Sequence, residues 1–130
     1  MESGLREARR VLKPGGVAVF IDTVAPPDPV LDTHLQTIEL LRDASHVRNY
    51  TVSEWVAALA RARLVPTGMA ADRLRLEFAS WIARTRTPDA NADMIRSVQD
   101  NAPRVVRDHF EVAADGSFTL DVMTATVVAA

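Results

Sequence analysis

The stretch Lys13-Pro14-Gly15-Gly16-Val17-Ala18-Val19-Phe20-Ile21 constrains the fold more than any other part of the chain. Upstream of it, Leu5, Ala8, Val11 and Leu12 recur at three- and four-residue spacing, which predicts an amphipathic helix over 3–12. Pro14 cannot continue that helix, and the two glycines are suited to the positive φ of a tight turn. Val17–Ile21 is then apolar without alternation, the pattern of a strand buried on both faces in a parallel sheet. Helix, sharp turn and buried strand point to an α/β fold. The strand closes on Asp22-Thr23, polar residues at a carboxyl end, where open α/β sheets place their ligands.

The remaining elements are read the same way. Asp28 caps a helix over about 30–41 with Pro29 at its first position, and Leu31, Leu35, Ile38 and Leu41 form its apolar stripe. Residues 42–49 read as a polar loop. Thr51-x-x-Glu54 is a capping box, with Tyr50 and Trp55 placed as a hydrophobic staple, so a helix follows as far as Arg61–Arg63. A strand is expected over about 64–74 despite Pro66 and Gly68, then a short helix from Phe78. Asp89 or Asn91 is positioned to cap another helix, and Pro103 to open a shorter one. Asp115-Gly116 marks a turn before a last strand over about 118–128.

Composition removes several function classes. In 130 residues, 48% are apolar, enough to build a core. A net charge of −2 lacks the basic excess of a nucleic-acid-binding module, so no nucleic-acid partner is expected. There is no Cys, which excludes disulfides, Cys-zinc sites and thiol nucleophiles. No apolar run approaches the ~18–20 residues that span a bilayer, so no membrane partner is expected and the chain reads as cytoplasmic.

No Gly-x-Ser-x-Gly elbow, phosphate-binding glycine loop, dinucleotide fingerprint or metal-ligand spacing occurs, so no catalytic or metal-binding residue can be assigned. His34 follows Asp32 by two residues on the polar flank of its helix, a spacing at which side chains do not face each other. His46 lies among Asp43, Arg48 and Tyr50, a cluster able to face a pocket. His109 sits beside Asp108 near a helix end, where the helix dipole accounts for it. Trp81 reads as core, and Arg84 and Arg86 as solvated.

The run Glu7-Ala8-Arg9-Arg10-Val11-Leu12-Lys13-Pro14-Gly15-Gly16 before an apolar strand resembles a motif of class I S-adenosylmethionine-dependent methyltransferases. It is similar to the helix–turn–fifth-strand step of their small-molecule branch, which includes ubiquinone- and menaquinone-biosynthesis-type enzymes. Arg42–Trp55 resembles the lid-loop-to-helix segment of bacterial members, and Asp115–Thr119 fits the family's carboxyl end. The resemblance covers nearly the whole chain but only the carboxyl-terminal half of the family's domain. It implies an α/β fold with about three strands and flanking helices. Residues 17–24 would be the fifth strand, 64–75 the sixth, and 117–128 the seventh, antiparallel and between the other two. A single partial domain results, with 1–24 as helix and strand, 25–50 as lid-like loop and helix, and 51–130 as the remainder.

The family's glycine-rich loop after the first strand and the acidic residue ending the second have no counterpart in this sequence. S-adenosylmethionine is therefore the cofactor implied for the complete family domain, and none is expected to bind this chain alone. Asp22, His34, His46 and Arg48 become candidates for lining the pocket of a small-molecule acceptor. Without a fourth strand, Val17–Thr23 would leave an apolar edge uncovered, which implies a homodimer through that edge or a complementary amino-terminal half.

Overall fold

The computed structural model describes residues Met1–Ala130. Helix α1 (Glu2–Val11) stops at Leu12, and the chain turns through Pro14 and Gly15 into strand β1 (Val17–Thr23). Of the two turn glycines, Gly15 alone takes positive φ, at +71°. Gly16 serves a different need, because a Cβ there would stand 2.8 Å from the Lys13 carbonyl oxygen that its own N–H engages. Helix α2 (Pro29–Arg42) begins as anticipated, with the Asp28 carboxylate accepting from the Val30 N–H at 2.8 Å. Helix α3 (Val52–Arg61) carries the complete capping box. Thr51 Oγ1 accepts from Glu54 N at 3.2 Å, and Glu54 Oε2 accepts from Thr51 N at 2.8 Å.

Strand β2 (Leu64–Leu76) forms in spite of Pro66 and Gly68. Its place explains the tolerance: the sheet order is β1-β3-β2, so β2 is an edge strand, where a missing N–H can face away from the ladder. Helices α4 (Phe78–Arg84), α5 (Asp89–Asp100) and α6 (Arg104–His109) precede β3 (Phe118–Ala129). Neither Asp89 nor Asn91 caps α5. Pro88 occupies the cap position with no side-chain bond, and Asn91 instead donates from Nδ2 to the Leu41 carbonyl at 2.8 Å. Pro103 likewise stands one residue before α6 rather than inside it. The last strand lies between the other two and runs antiparallel to β1.

The chain divides into two compact units. The first comprises Met1–Val24, Tyr50–Asp72 and Val122–Ala130. Here β1 pairs with β3 in a register from Val17↔Val128 to Thr23↔Val122. One sheet face is covered: Ala18 and Phe20 pack with Leu5, Trp55, Leu59, Met123, Ala125 and Val127. The other is not. Val17, Val19 and Ile21 are 60%, 56% and 69% exposed, so the strand expected to be buried on both faces is buried on one. The physical reason is that α1 and α3 both belong to the covered side. The unsplit apolar pattern describes an environment that this chain does not itself supply.

The second unit comprises Ala25–Asn49 and Arg73–Asp121. Its core gathers Leu31, Leu35 and Ile38 of α2 with Trp81, Ile95, Val106, Phe110, Phe118 and Leu120. Trp81 meets the Phe118 ring edge-on at 4.8 Å, while the Arg42 guanidinium lies 4.8 Å over the indole and donates to the Trp81 carbonyl. Arg84 and Arg86 are exposed and Trp81 is core, as the sequence suggests.

Candidate functional site

The richest polar constellation lies on the flank of α2 formed by Asp32 and Gln36, one helical turn apart. The Gln36 amide nitrogen donates to Asp32 Oδ1 and to the Asn49 carbonyl, both at 2.8 Å. That orients Oε1 toward two donors, the Asn49 N–H at 3.0 Å and His46 Nε2 at 2.9 Å. A carbonyl oxygen only accepts, so His46 donates to it from Nε2. Arg48 completes the cluster by donating to Asp32 Oδ2 at 3.2 Å. Local chemistry prepares this arrangement. Asp43 Oδ1 accepts from both the N–H and the hydroxyl of Ser45, and the Asp43 carbonyl accepts from the His46 N–H at 2.9 Å. The Ser45 hydrogen bonds hold the Asp43 carboxyl below its ordinary range.

His46 and Arg48 are thus brought together, through a residue that sequence reasoning did not single out. Gln36 has no signal in a single sequence, since its partners lie four residues ahead of it in Asp32 and ten to thirteen behind it in His46 and Asn49. Tyr50 does not join the cluster. It packs with the Trp55 core of the first unit.

His34 is placed differently from expectation. Far from a polar flank, it is 7% exposed and its ring lies 5.3 Å from that of Phe110. At 100° per residue, a side chain two positions from both Asp32 and Gln36 points to the opposite side of the helix, and α6 packs there. Its Nε2 is buried with no hydrogen-bond partner. Burial lowers its pKa from 6.5 to about 4, because the charged ring would lose its hydration. The ring also borders a groove of about 500 Å³, shared by Thr33 and Thr37 of α2 with Asn101, Pro103 and Val106.

Asp22 belongs to the first unit, at the end of β1, whereas His34, His46 and Arg48 belong to the second. Its side chain is exposed, yet desolvation by the surrounding chain raises its pKa against the lowering hydrogen bond from the Thr23 N–H at 2.9 Å. His109 has a partner that the helix dipole does not foresee: its Nε2 is 2.7 Å from Asp121 Oδ2, and Arg73 donates to the other oxygen at 2.6 Å. No three His, Cys, Asp or Glu side chains are grouped so as to hold a metal ion. No helix is long and apolar enough to cross a membrane.

Comparison with known proteins gives these features a frame. No protein-family profile matches the chain. The uncharacterised YafE protein of Escherichia coli K12 is 47% identical over 121 residues, which are 93% of this chain and 58% of that protein. The uncharacterised methyltransferase YcgJ of Bacillus subtilis 168 is 36% identical over 85% of this chain and 44% of its own length. The crystal structure of YcgJ superposes with a TM-score of 0.87 at 32% identity, covering 98% of this chain and 56% of that one. A structure from Bacillus halodurans C-125, designated a methyltransferase, gives 0.89 at 25% identity, covering 98% and 57%. The chain therefore spans about half the length of the relatives that it matches.

Proposed function

We propose, for a chain that corresponds to the carboxyl-terminal portion of a class I methyltransferase domain, that it contributes the acceptor side of S-adenosylmethionine-dependent methylation of a small molecule. The half bearing the first four strands would complete it. The observation that carries this reading is the open side of β1. Its edge away from β3 has no strand partner, and Val17, Val19 and Ile21 expose a row of apolar side chains on one face. Proteins normally cover such a surface. A half-domain ending in a parallel strand and apolar helices would pair the edge and cover the face together.

The residues present do not fit S-adenosylmethionine: there is no glycine-rich turn after a first strand and no acidic residue ending a second. Cofactor binding is accordingly assigned to the complementary half, and no chemical step is derived for this chain alone. What this chain offers is a preset acid–base group. His46 is held through Nε2–H by Gln36, which in the neutral ring leaves the Nδ1 lone pair to take a proton from a hydroxyl or carbon acid as it is alkylated. A cytoplasmic location accords with this reading.

The test is calorimetric titration of S-adenosylmethionine into this chain, alone and mixed with a polypeptide carrying the first four strands of a relative. No heat from the chain alone and micromolar binding by a one-to-one complex are expected. Micromolar binding by the chain alone would overturn the assignment of the cofactor site. A stable homodimer that refuses the added half would favour a non-catalytic dimerising module instead.

A further inference from the structure

We infer that Gln36 is a positioning residue for His46: its amide, locked in one orientation, fixes which ring nitrogen holds the proton and leaves proton transfer to Nδ1 alone. The residues concerned all lie within the second unit. The lock is chemical. Both N–H bonds of Gln36 Nε2 are spent, on Asp32 Oδ1 and on the Asn49 carbonyl, each at 2.8 Å. Oε1 accepts from the Asn49 N–H at 3.0 Å. Turning the amide over would set its oxygen against a carbonyl and a carboxylate, and its N–H groups against a backbone N–H. An amide gripped by both polar backbone groups of one residue has a single orientation. Asp32 is held in turn, since Arg48 Nη2 lies 3.2 Å from its other oxygen. Its charge polarises the amide and makes Oε1 a better acceptor.

His46 meets that oxygen with Nε2 at 2.9 Å. A neutral imidazole has one N–H, and here it is used on Gln36. A protonated imidazole has two, and the one on Nε2 stays where it was. The ring therefore gains and loses a proton at Nδ1 without rotating. Catalytic use of this rests on the acceptor-side reading above. In that use the proton of a hydroxyl or carbon acid passes to Nδ1, while the electron pair of the broken bond stays on the acceptor atom. Nε2 is closed to that task in either charge state.

The test is ¹⁵N NMR of the imidazole nitrogens in this chain, without cofactor or second polypeptide, at about pH 8.5, where imidazole is ordinarily neutral. The His46 signals are identified by their loss in His46→Gln. Nε2 should be the protonated nitrogen, by about tenfold or more over Nδ1. Gln36→Leu removes the acceptor and should lower that ratio about three- to tenfold, the worth of one hydrogen bond. Gln36→Glu gives up both donated bonds but keeps an oxygen for His46. It should speed amide exchange over 45–50 and yet preserve the natural ratio, a separation that a purely structural role would not produce. A natural chain protonated mainly on Nδ1, an unchanged ratio in folded Gln36→Leu, or a Gln36→Glu ratio as low as that of Gln36→Leu would each overturn the inference. Gln36→Met, of similar length, replaces Gln36→Leu if the latter does not fold. A wrong tautomer leaves the half-domain assignment standing, and a failed S-adenosylmethionine titration leaves the tautomer standing, so the two failures are distinct.

Discussion

Gln36 and Asn49 exchange two hydrogen bonds across thirteen residues: the Asn49 N–H donates to Gln36 Oε1 at 3.0 Å, and Gln36 Nε2 donates to the Asn49 carbonyl at 2.8 Å. A side-chain amide here takes the place of a neighbouring backbone, and it ties the end of the 43–49 segment to the middle of α2. His46 hangs on the same oxygen. Replacing Gln36 by Leu removes all four bonds of the amide and leaves a half-buried backbone pair unsatisfied. The expected loss is about 1–3 kcal/mol in urea unfolding. Hydrogen exchange should localise it: amides of 45–50 lose protection while those of α5 keep theirs.

The open face of β1 makes a contrary prediction. Val19→Asp lies on the uncovered side, so stability of the chain alone should change by no more than about 0.5 kcal/mol. Association with a complementary half or with a second copy should be lost, measured by sedimentation equilibrium. Val127→Asp, on the covered face of the same sheet, should instead unfold the unit.

His34 makes stability depend on pH in a known direction. Its folded pKa of about 4 lies below the unfolded value of 6.5, so the unfolded chain binds more protons between those limits. The stabilising contribution is present above pH 6.5 and is lost as pH falls through 4, amounting to about 3 kcal/mol. Urea midpoints of the natural chain and of His34→Leu, taken at pH 7 and pH 5, isolate it. The natural chain should lose more on acidification than the variant, and an equal loss would refute the assignment.

Thr51→Ala tests the helix start that both sequence and structure identify. It removes the acceptor for Glu54 N and one end of the reciprocal box, at an expected cost of about 1 kcal/mol. Thr51→Ser should recover most of it, as read from thermal midpoints.

Local chemistry determined a large part of this protein from sequence alone. Asp28-Pro29 and Thr51-x-x-Glu54 satisfy orphan helix N–H groups within three residues of themselves, and Pro14 with Gly15 closes α1 by covalent geometry. Strand positions followed from apolar runs, and the family resemblance supplied their order, which periodicity does not encode. The candidate site was less legible. His46 and Arg48 were visible as polar residues in a loop, but Gln36 was not, because a hub is defined by partners that only folding brings near. His34 was misplaced for the same reason: a helix wheel shows which residues share a side, not which side another helix will cover. The apolar run at Val17–Ile21 carries the sharpest case. Its sequence describes burial on two faces, and the tertiary structure covers one, because hydrophobic pattern records the surroundings a strand is suited to while packing records only the elements this chain contains.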